Sequence, residues 1–243
     1  MRRIIMHLLA IMMLAGTVSA TITTGRPMAQ ATARKAEKET AKPVAAGQAV
    51  PPLEETALKR LAQWDANLRT MQTGFTQEIV FGDTGMSTNI EGTAYYKKPN
   101  FLRIDHTSPS AQIVVTDRET ISIYKPGDSQ VVKTDWKTWI EQQGGTFSGI
   151  TNFGYYGDLI KEHNVKVTEK DGLVLITLTP KKNKTSYNLT IMLDKTDFFP
   201  REVDVNLGET KVITKLKNTK INDTIPEAIF KWTPPPGTEV INF

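Results

Sequence analysis

The chain has 243 residues, 39% apolar and 23% charged, and contains no cysteine. That length can bury a sizeable core, the negative mean hydropathy excludes a polytopic membrane protein, and the missing cysteines exclude disulfide scaffolds, thiolate zinc sites and thiol nucleophiles. The formal charge of +4 points at face value to nucleic acid or an anionic membrane, so its position along the chain matters.

Residues 1–20 read as a secretory signal: Arg2 and Arg3 are followed by the apolar run Ile4–Ala15, and Val18, Ser19 and Ala20 supply the small residues of a cleavage site. The run is shorter than the roughly 20 residues of a spanning helix. Cleavage near Ala20 and export to a bacterial periplasm are expected, and with no lipobox cysteine the mature chain should carry no lipid of its own. Residues 21–52 are rich in Thr, Ala, Lys, Pro and Gln and lack aromatics and apolar periodicity. Such a segment cannot offset its ordering entropy and is expected to be a disordered linker. Signal and linker hold the whole positive excess; from Leu53 onward there are 23 basic and 24 acidic residues. The basic balance belongs to export and tether, and no nucleic-acid partner is expected.

The remainder, 53–243, is expected to form the folded domain. Leu53, Ala57, Leu58, Leu61, Trp64 and Leu68 recur at helical spacing, with Glu54, Glu55, Lys59, Arg60 and Asp65 assigned to the opposite face. Period-two runs follow: Phe75–Ile79, Ile90–Tyr96, Phe101–His106, Gln112–Thr116, Thr120–Lys125 and Gln130–Thr134. Beyond the middle come Val165–Glu169, Leu173–Thr179, Tyr187–Asp194, Arg201–Leu207, Lys211–Leu216 and Glu227–Trp232. Asp171-Gly172 is the strongest hairpin signal. So many strands on short loops predict an antiparallel meander curved into a barrel-like sheet. Trp136–Glu162 breaks the pattern, with aromatic and aliphatic residues interrupted by glycines. Short helical pieces with hinges fit it, either as a lid over a cavity or as a packing cluster closing one end of a barrel.

Chemistry-bearing motifs are scarce. His106 and His163 lie in no H-E-x-x-H, Ser148 is misplaced for G-x-S-x-G, and there is no P-loop or G-x-G-x-x-G. The carboxylates Asp105, Asp117 and Glu119 are scattered on strands. No enzyme activity, cofactor or metal site is expected. One helix and one hinged insert must cover a broad sheet, so an apolar concavity that binds lipid or apolar peptide is the expected site.

An ordered set of motifs carries a family resemblance. Phe75-Thr76-Gln77 follows the first helix, Gly92–Pro99 ends a strand, and Ile113–Asp117 leads to Tyr124-Lys125-Pro126. Leu178-Thr179-Pro180-Lys181 comes next, and Phe230–Gly237 closes the set. From about Leu53 to Phe243 the chain resembles the periplasmic outer-membrane lipoprotein carrier protein family. The resemblance implies an unclosed antiparallel β-barrel, a half-barrel with an N-terminal helix and a helical lid over an apolar cavity. It implies a monomeric chaperone that takes triacylated lipoproteins from an inner-membrane ATP-driven release complex and delivers them to an outer-membrane acceptor. It also implies sites. Leu102 and Ile104 should face the cavity while Arg103 and Asp105 face solvent, and the same parity turns Tyr96 and Lys98 inward. Ile150, Phe153, Tyr156 and Leu159 are the expected lid contribution to the acyl-chain site. The family's arginine at the Lys98 position latches the lid, which makes Lys98 the expected latch here; lysine lacks the planar fork, so a weaker or differently arranged latch is expected, the alternative being a solvated Lys97-Lys98 pair beside the turn. The alternative is a lipid- or lipoprotein-sensing regulatory domain of the same fold; such regulators append a second domain, and none is expected after Phe243.

Overall fold

The computed structural model describes residues 52–142, 154–181 and 187–243, and of 140–142 the backbone alone. The predicted signal, nearly all of the predicted linker, and the lid candidates Ile150 and Phe153 lie outside the described residues.

Helix α1 (Leu53–Asn67) begins with Glu54 and Glu55 in its first turn, where carboxylates suit the helix dipole. Six strands follow: β1 (Thr70–Phe81), β2 (Met86–Lys97), β3 (Phe101–Ser108), β4 (Gln112–Thr116), β5 (Thr120–Lys125) and β6 (Gln130–Asp135). Two short helices, α2 (Trp136–Gln142) and α3 (Tyr156–Glu162), occupy the glycine-rich stretch, matching the expected short helical pieces. The chain then returns through β7 (His163–Lys170), β8 (Leu173–Pro180), β9 (Tyr187–Asp194), β10 (Pro200–Leu207) and β11 (Thr210–Ile221). A last strand, β12 (Glu239–Asn242), follows a 3-10 turn at Glu227–Ile229. Asp171 and Gly172 both have positive φ, 52° and 77°, as a two-residue hairpin turn between right-twisted strands demands.

All twelve strands form one sheet in the order β12-β6-β5-β4-β3-β2-β1-β11-β10-β9-β8-β7. The long ladders β1–β2 and β1–β11 form its centre. Strands β12 and β7 are its two edges, so the barrel is unclosed. Register shifts at Gln72/Gly74, Glu91/Gly92 and Pro200/Glu202 bend it. At Gly92 the bend admits the ring of Phe75, since a Cβ there would stand 2.9 Å from that ring.

Alternation sorts the side chains cleanly. On the concave face Met71, Phe75, Tyr96, Leu102, Ile104, Val114 and Ile121 join Ile176, Leu189, Ile191 and Val203 in one buried core. Helix α1 lies over this face and packs on α3 and β7, while α2 packs on β5 and β6.

Two expectations are corrected. Glu227–Trp232 is no strand. The segment runs as a strap over the convex face, flanked by Pro226 and by Pro234–Pro236, which have no N–H to give a ladder. It leads into β12, which pairs with β6 in parallel, so the sheet is antiparallel except at this edge. Arg103 and Asp105 do point outward, but the strap covers them rather than solvent: Arg103 Nη1 donates to the Ile229 carbonyl at 3.0 Å and Nε to Asp105 at 2.8 Å. Phe230 packs 5.6 Å from Phe101, and Trp232 5.0 Å from Tyr124. Val115, Val131, Ile225 and Phe230 are buried yet stand apart from the concave core.

Candidate functional site

The site is built where the ends of β2 and β3 meet α1 and α3. Tyr96 and Leu102 are directly paired across β2 and β3, one rung from Ala94 and Ile104. Tyr96, Leu102, Ile104 and Tyr156 are 4% exposed or less, and Leu159 is half-buried against the same core. Five predicted contacts are therefore brought together, and the lid-side residues among them come from α3. Lys98 lies just past β2, in the turn to β3.

Lys98 closes a contact that spacing alone does not predict. Its ammonium donates to the Asp65 carbonyl at 2.7 Å and to the Ala66 carbonyl at 3.0 Å. The last carbonyls of a helix have no partner within it, and α1 carries no basic residue in its final turn. Lys98 supplies the missing cation from another element, and Asn222 adds a bond from Nδ2 to the Asn67 carbonyl at 3.1 Å. These contacts hold α1.

The direct bond to the lid comes from Asp65. One carboxylate oxygen accepts the Gly157 N–H at the start of α3, at 2.5 Å. Asp65, expected on the polar face of α1, is in fact 7% exposed, because it continues the stripe Ala57, Leu61 at intervals of four. Burial pushes its carboxyl up to about 6, against the opposing pull of the Gly157 N–H and the Lys98 charge. Beside it Trp64 stands 5.9 Å from Tyr156 and, edge-on, 5.7 Å from Phe199, so one indole joins α1 to α3 and to the β9–β10 corner.

A second link runs through Arg118, which the sequence reading missed. Thr116 Oγ1 accepts the Arg118 N–H at 2.8 Å, and Asp117 accepts the N–H groups of Glu119 and Thr120, shaping a turn in which Arg118 adopts φ 68°. The guanidinium lies 4.1 Å from the Tyr155 ring and 5.6 Å from the Trp136 ring, bridging the ends of α2 and α3. Tyr155 donates to the Pro99 carbonyl at 2.5 Å and lies 2.9 Å from Asn100 Oδ1. At the other end of α3, His163 Nδ1 donates to the Leu159 carbonyl at 2.6 Å, since a carbonyl can only accept. Gly154, at φ 75°, sits against the Tyr96 hydroxyl, where any Cβ would collide.

The closed arrangement leaves polar atoms unsatisfied. Trp64 Nε1, the second oxygen of Asp65 and the Tyr96 hydroxyl are buried without hydrogen-bond partners among the described residues. Burial also pushes the Tyr96 hydroxyl up to about 12, so it stays protonated. Each such atom costs about 1–3 kcal/mol against a state in which water reaches it. Packing of α3 over the concave face thus leaves polar groups of α1 and β2 buried and unpaired.

The comparisons with known proteins agree with this architecture. The family model of the outer membrane lipoprotein carrier protein LolA matches residues 66–233. The outer-membrane lipoprotein carrier protein of Dechloromonas aromatica is 27% identical over 189 residues, covering 76% of this chain and 87% of that protein. The protein of the same name from Chromobacterium violaceum is 24% identical, covering 84% of this chain and 95% of its own. An uncharacterized conserved protein from Thermus thermophilus, known from a crystal structure, superposes with a TM-score of 0.50 at 11% identity, over 78% of this chain and 99% of its own. The family match spans most of the described sheet together with the end of α1 and the whole of α3, and it places this chain in the outer membrane lipoprotein carrier protein LolA family.

Proposed function

We propose that this chain is a periplasmic carrier that binds the acyl chains of lipoproteins released from the inner membrane and delivers them to the outer membrane. In this account residues 1–20 direct export, 21–52 tether, and 53–243 carry. The chain works as a monomer, by binding and release rather than by catalysis. Its partners are triacylated lipoproteins, an inner-membrane ATP-driven release complex and an outer-membrane acceptor.

The observation that carries this reading is the unsatisfied closed lid over an apolar concave face. Each buried methylene contributes about 0.8 kcal/mol, so three acyl chains fully buried in a preformed cavity would never leave. Polar groups of α1 and β2 that favour opening, beside apolar groups of the concave face that favour closure, keep two states close in energy. Cargo then shifts the balance toward the open state, and part of the binding energy is spent on opening. Release to an acceptor with a better apolar site runs downhill. Tyr96, Leu102, Ile104, Tyr156 and Leu159 line the acyl-chain site, and Lys98 acts on the lid through α1 and Asp65.

Depletion of the protein in its own cells tests the reading. Lipoproteins destined for the outer membrane should accumulate in the inner membrane. Correct lipoprotein sorting with an altered envelope stress response alone would contradict it and indicate a sensor.

A further inference from the structure

A second set of polar side chains lies on the concave face, away from the lid. Phe75 pairs with Gly92, Gly92 with His106, and His106 with Gln112, while Lys125 pairs with Gln130 further along the sheet. Gln112 keeps the parity of Val114, and Lys125 that of Ile121 and Ile123, so these residues form one inward rung. The next rung toward the lid is wholly apolar: Ala94, Ile104, Val114, Ile123 and Val132.

Packing alone does not account for the polar rung. Gln112 is 5% exposed, and its Nε2 has no hydrogen-bond partner among the described residues. A buried amide donor left unpaired destabilises the empty protein and is relieved by an acceptor brought in from outside. The His106 ring stands edge-on to Phe75 at 5.8 Å and next to Gln112 in the ladder. Burial lowers its pKa to about 4, so at neutral pH it presents one N–H and one lone pair. A buried unpaired amide donor beside a neutral imidazole, at one end of an apolar lining, complements a molecule with a long apolar part and acceptor oxygens at its head.

We propose that His106 and Gln112 form a subsite that takes the carbonyl oxygen at the head of an acyl chain, with the chain lying along the apolar rungs toward the lid. The inference rests on the carrier reading and names the part of the cargo that the concave face recognises. Two sources share this chemistry: the ester carbonyls of an acylated protein and the carboxylate of a free fatty acid. Lys125, half-buried at the end of the rung, would favour the carboxylate.

The test compares two synthetic probes on the purified protein: a tripalmitoylated cysteinyl peptide, and the same peptide with its two glyceryl chains linked through ethers, which lack those carbonyls. Wild type should bind the ester peptide about tenfold more tightly, one well-made buried hydrogen bond being of that order. Gln112→Leu should erase the preference by weakening ester binding alone, and it should fold at least as well because it removes the unpaired amide. His106→Phe provides a second variant with the same expectation. Palmitate as competitor separates the sources: competition that Gln112→Leu abolishes assigns the subsite to the free acid as well, and no competition assigns it to the ester alone. Equal affinity of wild type for both peptides, or a preference that survives Gln112→Leu, would overturn the subsite and leave the carrier reading standing. Binding of neither peptide would overturn both.

Discussion

Asp65 shows how a single buried carboxylate couples to pH. Its pKa, near 3.8 in the unfolded chain, is pushed up to about 6 in the folded one. Below about pH 3 both states are protonated, and burial of the group carries no ionic penalty. Between pH 4 and 6 the unfolded state gives up its proton while the folded state resists, so stability falls as pH rises and levels off above about 6. A two-unit shift corresponds to about 3 kcal/mol. His106 drives the opposite trend, since its lowered pKa makes stability fall as pH drops from about 6.5 toward 4. Comparison with Asp65→Asn cancels that contribution, because His106 is common to both proteins. The variant's stability advantage, measured by denaturant unfolding, should grow by about 2.4 kcal/mol from pH 4 to pH 7. A pH-independent difference would mean that Asp65 ionises freely in the closed state. Asp65 was legible in principle: it lies four residues beyond Leu61 and eight beyond Ala57 on the buried stripe. Its charge made the outer face the natural assignment, since unpaired carboxylates are rarely buried. Arg118 left no such trace, because the Thr116 and Asp117 bonds that shape its turn look like those of any turn.

At the scale of elements, alternation located most strands to within a few residues, because most concave side chains are apolar while their neighbours face the other way. The same rule failed for Glu227–Trp232, where alternation reflects a strap with one side against the sheet rather than a ladder position. Nothing local distinguishes the two; what decides is that the convex face of β3 to β5 carries Phe101, Val115 and Tyr124, which need cover. Arg103 anchors that cover. Arg103→Ala removes the bond to the Ile229 carbonyl and the partner of Asp105, at a cost of about 1.5–3 kcal/mol for a charge-assisted bond. Amide hydrogen exchange should then rise across 225–243 while exchange in α1 and α3 stays unchanged. Unaltered protection of the strap would show that its aromatic contacts alone hold it. Leu102 and Ile104 call for different handling: both are almost fully buried in the closed state, so a glutamate at either position would unfold the protein before it tested binding.

For the whole molecule, the opening charge balance resolves by position: the described fold carries nearly equal numbers of acidic and basic residues, and its site is apolar with polar fittings. The sheet class and the inward set Tyr96, Leu102 and Ile104 could be read from period and parity. The rung of His106 and Gln112 could not, because inward polar residues are visible only once the register aligns four strands. The proposed carrier function requires that this chain hold an acylated protein. Native mass spectrometry of the protein recovered from the periplasm of cells that also make a triacylated lipoprotein and its release complex tests it most directly. One acylated lipoprotein per chain, lost when the acylated cysteine of the cargo is replaced, is the predicted result; the bare mass of this chain alone, with the cargo left in the membrane, would contradict it.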